Sequence, residues 1–387
     1  MFIPLKYNIR YLITRRGGTL MTALTFALVV AIFVVVMSLA RGMEKALAAS
    51  GNPLNVLVMR PGVQAEGQSS IQIPRYPIVR AFPGIAVDEQ GEPLAGPEVL
   101  VLVNKPKRGS GKPSNIQVRG VTAASFKIRP EVKLVEGRLF RPGLREAVIS
   151  KRAANRFEGM SLGDHPRLGR GEWTIVGIFD AQGSAFDSEL WCDDQELMEE
   201  FDRDAYSTIV LRAADKAAVE SIAQLLDADP RVKLIAKTEE KYYQEQTSNA
   251  TPLKVFGGFL AIMMSIGACF AAMNTMYSNV ANRVREIGTL RILGFTPFSI
   301  LISFLVESIA LSLIGGSLGC LFSLPINGLA TGTTNFETFS EIVFYFTITP
   351  ELMVRGLAFA VIMGAFGGLL PAIYAARQPI LQALRHV

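Results

Sequence analysis

Four long apolar runs constrain this sequence more than any other feature. They cover residues 19–40, 255–280, 299–324 and 352–376. An α-helix needs roughly 20 residues to cross about 30 Å of hydrocarbon, and each run is longer than that. The sequence therefore predicts a membrane protein with four transmembrane helices.

Most of the polar sequence lies between the first and second runs. Residues 41–252 have an ordinary soluble composition, with 28 Lys or Arg against 29 Asp or Glu. The formal charge of +5 therefore comes from the rest of the chain, where 11 basic residues face 5 acidic ones. Because no soluble domain carries a basic surplus, we expect no nucleic-acid partner. The insert has room for one sizeable domain or two small ones.

The short segments that flank the apolar runs differ in charge. The segment before the first run, the segment between the second and third, and the tail together hold nine basic residues and one acidic residue. The connection between the third and fourth runs holds Glu337, Glu341 and Glu351 and no basic residue. The positive-inside rule then predicts that both termini and the middle loop are cytoplasmic, and that the insert faces outward.

The predicted division of the chain follows the apolar runs and these charges. Its parts are a cytoplasmic N-terminal segment (1–18), a first span (19–40), the extracytoplasmic insert with its stalk (41–252), a second span (253–281), a cytoplasmic helix (282–296), a third span (297–326), an extracytoplasmic loop (327–351), a fourth span (352–376) and a cytoplasmic tail (377–387).

The insert alternates between short apolar stretches and turns rich in Gly and Pro. Stretches with strand composition lie at 54–59, 99–103, 147–150, 174–179 and 207–211. Residues 213–227 have helical spacing and precede another strand at 232–236, which predicts a strand, helix, strand unit. The predicted fold class is an α-helical membrane protein with four transmembrane helices and a mixed α/β extracytoplasmic domain between the first two. Residues 105–115 are expected to form a mobile surface loop.

Three features of the insert suggest chemistry, and each has a plainer interpretation. GSGKPS (109–114) resembles a phosphate-binding loop, but Pro106 and Pro113 stand where that loop needs Gly and Ser or Thr. His165 and His386 lack metal-ligand spacing. Seven acidic residues lack the glycine and spacing of a calcium loop, so a solvated helix face is expected. They are Asp193, Asp194, Glu196, Glu199, Glu200, Asp202 and Asp204. The sequence therefore predicts no catalytic residue and no metal site.

The segment NRVREIGTLRILGF (282–295) is the most informative part of the membrane region. Its apolar residues alternate with charged ones at helical spacing, which predicts a short amphipathic helix along the inner face of the membrane. Gly294 is placed to end this helix and Pro297 to begin the next. Physical chemistry alone leaves two functions equally open, an anchor for anionic lipid and a docking surface for a protein partner.

The same segment resembles the cytoplasmic loop of MacB/FtsX/LolC-type ABC transporter permeases, the mechanotransmission (type VII) superfamily. In that family a helix with an Arg-Glu-Ile-Gly core and a Leu-Gly ending couples the permease to its ATPase. The resemblance therefore implies a role in ATPase coupling for eight residues. They are Arg283, Arg285, Glu286, Ile287, Gly288, Arg291, Leu293 and Gly294.

The resemblance extends over most of the chain. SFLVESIALSLIGGSLG (303–319) resembles the third span of the family and GGLLPAIYAARQPILQALRHV (367–387) its fourth span and tail, although Gln378 before Pro379 departs from the usual ending. REAVISKRAANRFEGMSLGD (145–164) and WTIVGIFD (173–180) resemble its periplasmic core domain.

Intramembrane positions of two kinds are predicted to serve helix packing. Glu307 is expected to be held protonated by hydrogen bonds between helices, because an isolated carboxylate inside a membrane is costly; an ion or substrate path is the alternative. Gly315 with Gly319, and Gly364 with Gly368, have the small-xxx-small spacing that permits close helix approach.

The resemblance implies a non-catalytic permease subunit in a bacterial cytoplasmic (inner) membrane. It implies a separate cytoplasmic ATPase, which uses ATP and Mg, a second permease chain in a homodimer or related heterodimer, and possible partnership with a periplasmic adaptor and an outer-membrane channel. This chain itself would hold no cofactor. The implied function is export or extrusion of a substrate. The alternatives are FtsX-like signalling to cell-wall hydrolases without transport, and LolC/E-like extraction of lipoproteins.

Overall fold

The structure is a computed structural model that describes residues 16–247, 251–334 and 341–378. The chain falls into two units. The membrane unit comprises residues 1–41, 252–329 and 346–387, and the insert unit comprises residues 42–251 and 330–345. The insert unit therefore takes in part of the connection between the third and fourth spans, which the sequence predicted as a plain loop.

Long helices dominate the membrane unit, and short helices and strands alternate through the insert unit. The helices are α1 (Arg16–Ala48), α2 (Tyr76–Arg80), α3 (Ala123–Ile128), α4 (Lys151–Arg156), α5 (Asp194–Glu200), α6 (Lys216–Ala228), α7 (Glu239–Thr247), α8 (Thr251–Asn282), α9 (Val284–Ile292), α10 (Pro297–Ser323) and α11 (Pro350–Ala376). The strands are β1 (Asn55–Met59), β2 (Ile71–Gln72), β3 (Ala95–Pro106), β4 (Pro113–Val121), β5 (Lys133–Gly137), β6 (Glu146–Ser150), β7 (Arg167–Leu168), β8 (Gly171–Glu172), β9 (Thr174–Asp180), β10 (Glu189–Asp193), β11 (Ala205–Tyr206), β12 (Thr208–Arg212), β13 (Ile235–Thr238), β14 (Ala330–Thr334) and β15 (Glu341–Tyr345).

Four helices in the described part of the chain are long and apolar enough to cross a membrane: α1, α8, α10 and α11. At 1.5 Å per residue, the 33 residues of α1 extend about 50 Å. The helix continues to Ala48, beyond the predicted end of the first span at residue 40, because its amphiphilic end RGMEKALA keeps good helix formers.

A nine-stranded mixed sheet forms the centre of the insert unit as described. Its strand order is β13-β1-β12-β3-β4-β10-β6-β9-β5. The predicted strand, helix, strand unit corresponds to β12, α6 and β13. Its two strands do not pair with each other, because β1 lies between them and pairs antiparallel with both. Alternate burial along β9 (Thr174–Asp180) shows which face meets the core.

The expected loop at 105–115 is shorter than predicted. Strands β3 and β4 pair from Val99 and Gly120 out to Pro106 and Pro113, which leaves residues 107–112 as the hairpin tip. The prediction was wrong for the flanks because polar residues occupy strand positions that lie outside the core. Asn104 donates to Asn115 across these strands at 3.1 Å.

The β14–β15 hairpin is part of the insert unit. The Val343 amide donates to the Ser188 hydroxyl at 2.8 Å, and the guanidinium of Arg152 lies 4.3 Å from the ring centroid of Tyr345. Val343 and Phe344 are buried. The hairpin thus contributes to the core of a unit whose other residues lie far from it in sequence.

Candidate functional site

The predicted amphipathic helix corresponds to α9, and local chemistry fixes both of its boundaries. Gly294 has φ +93°, and its amide and that of Phe295 donate to the carbonyls of Arg291 and Leu290. This is the Schellman ending, in which glycine adopts the left-handed conformation without steric cost. Pro297 is the first residue of α10, capped by the Thr296 hydroxyl. The predicted helix end and restart are confirmed.

Helix α9 and its flanks have a buried and an exposed side within the membrane unit. Arg283, Ile287 and Gly288 are buried. The other side carries a polar pair, Arg285 and Glu286, and two exposed apolar residues, Ile292 and Leu293, of which Leu293 is 67% exposed. Gly294 is exposed and Arg291 half-buried. The eight residues that the resemblance assigned to coupling therefore do not form one surface.

A buried ion pair joins the start of this segment to the third span. The Arg283 guanidinium donates to the Glu307 carboxylate at 2.8 Å, and the two side chains are 4% and 1% exposed. Arg283 also lies 5.6 Å from the ring centroid of Phe304, one turn before Glu307. The expectation that hydrogen bonds between helices hold Glu307 protonated did not anticipate this arginine. Ser308, the next residue, donates to the Gly364 carbonyl at 2.7 Å.

The four predicted packing glycines lie at two helix contacts. A Cβ on Gly315 would lie 2.6 Å from the Ala23 carbonyl oxygen of α1, and a Cβ on Gly319 would lie 2.5 Å from that of Ala27. Gly364 and Gly368 of α11 leave no room for a Cβ beside Ser312 and Ser308 of α10. Any larger residue at these positions would force the helix backbones apart.

A second buried charge cluster lies inside the insert unit, and sequence reasoning missed it. Arg119 contacts three carboxylates, those of Glu66 at 2.7 Å, Glu98 at 2.6 Å and Glu189 at 2.8 Å. All four side chains are at most 5% exposed. Its members come from separate elements, so no local motif reveals it.

Arg129 extends this cluster to α7, the helix that precedes the second span. Arg129 contacts Glu98 and, at 2.9 Å, Glu239, the first residue of α7. Glu239 also accepts a hydrogen bond from Asn55 of β1 at 2.8 Å. Although most of its residues are polar, helix α7 has four that are buried: Glu239, Tyr242, Tyr243 and Gln246. It is fastened to the domain by buried charge.

Burial and the neighbouring arginines act in opposite directions on the pKa values of the glutamates in this cluster. Burial raises the pKa of Glu66 above its ordinary value, with Arg119 opposing it. Burial also acts to raise the pKa of Glu98, but the attraction of Arg129 and Arg119 outweighs it, so the pKa lies below the ordinary value. Glu98 therefore stabilises the fold at neutral pH, and this contribution is lost as the pH falls through its lowered pKa.

The acidic run at 193–204 is only partly the solvated face that was expected: Glu199, Asp202 and Asp204 are exposed and Glu196 is half-buried. Asp193, Asp194 and Glu200 are buried. Glu200 accepts the backbone amides of Arg170 and Gly171 and pairs with Arg145 at 3.1 Å. The prediction was wrong for these three residues because Asp193 ends a buried strand inside the sheet, β10, and Asp194 and Glu200 belong to α5, which packs on the sheet.

The remaining candidates have no constellation that indicates chemistry. No group of three His, Cys, Asp or Glu residues in the described segments is placed to hold a metal ion. His165 lies 3.1 Å from the Thr174 hydroxyl, and His386 lies outside the described residues. GSGKPS (109–114) forms part of the tip of the β3–β4 hairpin and the first two residues of β4.

Comparisons with known proteins agree with these two units. The family profile of the MacB-like periplasmic core domain matches residues 19–229, and that of the FtsX-like permease C-terminal region matches residues 258–380. The first match covers more than half of the chain.

Solved structures match about half of this chain at low identity. They include the extracellular domain of the noncanonic ABC-type transporter YknZ from Gram-positive bacteria (16% identity, 47% of this chain, 98% of that chain, TM-score 0.36). The periplasmic region of MacB from Actinobacillus actinomycetemcomitans is another (12% identity, 52% of this chain, 96% of that chain, TM-score 0.38).

Two curated relatives show how far the similarity extends. The macrolide export ATP-binding/permease protein MacB of Pasteurella multocida is 26% identical over 95% of this chain and 57% of its own length. The uncharacterized ABC transporter permease YknZ of Bacillus subtilis is 27% identical over 66% of each chain. The chain thus spans little more than half of that MacB, and the ATPase domain is not present in residues 1–387. It is a multi-pass membrane protein with a periplasmic or extracellular domain, and it belongs to the MacB/FtsX-like family of ABC transporter permeases.

Proposed function

We propose that this permease couples ATP hydrolysis by a cytoplasmic ABC ATPase, which uses ATP and Mg, to the export of a substrate, and that it works beside a second permease chain. The observation that carries the proposal is the exposed side of α9. Ile292 and Leu293 present apolar surface next to Arg285 and Glu286. Protein interfaces combine an apolar core with a polar rim, whereas an anchor for anionic lipid would carry basic residues without Glu286.

The buried side of α9 supports coupling rather than docking alone. A displacement of α9 by a bound ATPase would act on the Arg283–Glu307 pair, and therefore on α10, because a buried ion pair resists separation of its partners. Export is favoured over signalling to wall hydrolases because residues 19–229 match the MacB-like core domain, and the P. multocida and Chlorobium luteolum relatives are named macrolide export proteins.

The docking step predicts a large effect at Leu293. In co-expression with an ABC ATPase encoded beside the permease, Leu293→Asp is expected to reduce ATPase co-purification and permease-stimulated hydrolysis at least about tenfold, since burying a charge in an apolar contact costs several kcal/mol. Leu293→Met, which keeps the apolar surface, should behave as wild type. Retention of the ATPase by Leu293→Asp would refute docking at α9.

Export is then measured in cells that carry both subunits, with a labelled macrolide as the first probe. Accumulation of the labelled macrolide inside the cells should be low with the wild-type pair and should rise again when the permease carries Leu293→Asp. Activation of an added wall hydrolase without any change in accumulation would favour signalling instead.

The proposed orientation, with the termini and α9 cytoplasmic, is tested by cysteine labelling. Ser110 lies exposed at the β3–β4 hairpin tip, and Arg285 is exposed on α9. A membrane-impermeant thiol reagent added to spheroplasts should label Ser110→Cys and not Arg285→Cys. Background labelling should be low, because Cys192 and Cys320 are buried and Cys269 is half-buried. The reverse pattern would overturn the orientation.

A further inference from the structure

A cavity of about 390 Å³ lies in the insert unit, beside the start of α5 and the loop that follows β5. This volume is within the range of small-molecule sites in proteins. Its walls combine aromatic rings with two carboxylates. The side chains that matter here are Tyr76, Phe126, Phe140, Tyr206, Asp193 and Asp194.

The four aromatic residues form two pairs. The ring centroids of Tyr76 and Tyr206 lie 6.1 Å apart in an edge-to-face arrangement, and those of Phe126 and Phe140 lie 6.0 Å apart. The faces of such rings carry partial negative charge and attract organic cations, most strongly when the cation is removed from water. The walls therefore suit a ligand that is both apolar and positively charged.

The two carboxylates have no cationic partner among the described residues. Asp193 is 6% and Asp194 is 4% exposed, yet neither forms an ion pair. Two arginines on neighbouring elements are paired elsewhere, Arg145 with Glu200 and Arg80 with Glu92. Burial of uncompensated negative charge is costly. A cationic ligand in the cavity would provide the missing positive charge.

The two carboxylates have different surroundings. Asp193 accepts the Gly143 amide at 3.1 Å and so holds the loop that carries Phe140 against the cavity. Asp194 accepts the side-chain amide of its neighbour Gln195 at 3.1 Å. Burial and the neighbouring Asp193 raise the pKa of Asp194 to about 6. The other titratable groups facing it are Tyr76 and Tyr206, with Glu196 further along α5 and Arg80 beside Tyr76.

From this geometry we infer that the cavity is a binding site for a small organic ammonium ion on an apolar body, with Asp194 as its counter-charge and Asp193 as a positioning residue. Anionic ligands are disfavoured by both carboxylates. The inference concerns binding by the extracytoplasmic domain and does not depend on ATP-driven export, so it is tested without the ATPase.

The test uses the full chain in amphipol and benzyltrimethylammonium, whose charge is independent of pH, with benzyl alcohol as the neutral analogue. Binding is followed by ligand-observed NMR. We expect the cation to bind at least about tenfold more tightly than the alcohol. Between pH 7.5 and pH 5 its affinity should fall about tenfold, because a carboxyl of pKa about 6 takes up a proton over this range. Binding of the alcohol should not change.

Asp194→Asn should weaken binding of the cation about tenfold and remove its pH dependence. The matched control is Glu199→Gln, which removes the same charge from an exposed position on the same helix and should leave binding unchanged. The thermal unfolding midpoint of each variant is measured beside binding. Phe126→Leu, which removes one aromatic ring of the cavity but keeps an apolar residue, should also weaken binding of the cation. Equal binding of cation and alcohol, or undiminished binding by a folded Asp194→Asn, would overturn the proposal.

Discussion

Replacement of Arg283 by methionine is expected to lower the free energy of unfolding of the membrane unit by about 3–5 kcal/mol, the usual cost of leaving one partner of a buried ion pair without its counter-charge. The carboxylate of Glu307 is 1% exposed, and its 2.8 Å contact with Arg283 would be lost. The measurement is the shift in thermal unfolding midpoint of the chain in lipid nanodiscs. The control is Arg285→Met, an exposed arginine two residues away, which should change little.

The double variant Arg283→Met, Glu307→Leu distinguishes charge from packing. Replacing both partners with apolar residues is often neutral for stability, so most of the loss should be recovered. If the pair also transmits movement from α9 to α10, this stable double variant should still show impaired coupling between ATP hydrolysis and export. If the double variant is stable and couples normally, the pair has a structural role only. An Arg283→Met variant as stable as Arg285→Met would contradict the buried pair itself.

The second large effect is expected at Arg129 in the insert unit. Arg129→Met leaves Glu98 with Arg119 alone and leaves Glu239 without its arginine, and should cost about 3–5 kcal/mol at pH 7.5. Arg129 is the main attraction that lowers the pKa of Glu98, so without it Glu98 would take up a proton more readily, and the deficit relative to wild type should shrink as the pH falls towards 5. Locally, we expect faster amide hydrogen exchange in α7 of the variant, because Glu239 is the first residue of this helix.

The control for this prediction is Arg231→Met. Arg231 pairs with Asp229 on the surface and is 68% exposed, so its loss should change stability little. If Arg129→Met were as mild as this control, or if α7 kept its protection from exchange, the cluster would not be what fastens α7 to the domain.

The membrane architecture could be predicted because its signals are local. A span is a continuous apolar run, and the boundary between α9 and α10 depends on Gly294 and Pro297, residues whose backbone preferences act within one turn. The strand, helix, strand unit around α6 was also readable from spacing. None of these inferences requires knowledge of which distant residues meet.

The charged interior could not be predicted for the opposite reason. Arg119 meets Glu66, Glu98 and Glu189 across sequence separations of 53, 21 and 70 residues. In a segment whose charges nearly cancel, each of these residues looks like a solvated surface group. The pairing of Arg283 with Glu307 left a weak signal, a lone carboxylate in an apolar run 24 residues after an arginine at a helix start. The expectation of a protonated carboxyl considered hydrogen bonds between the spanning helices and not an arginine outside the apolar runs.

The β14–β15 hairpin has a consequence for anyone who wishes to isolate the extracytoplasmic part. A recombinant fragment cut at the apparent ends of the insert, 42–251, would omit residues 330–345 and with them Val343 and Phe344, which are 3% and 1% exposed. It would uncover the Ser188 hydroxyl and the apolar surface under the hairpin. A fragment that joins residues 330–345 to this segment through a designed linker should be the more soluble and the more faithful to the native fold.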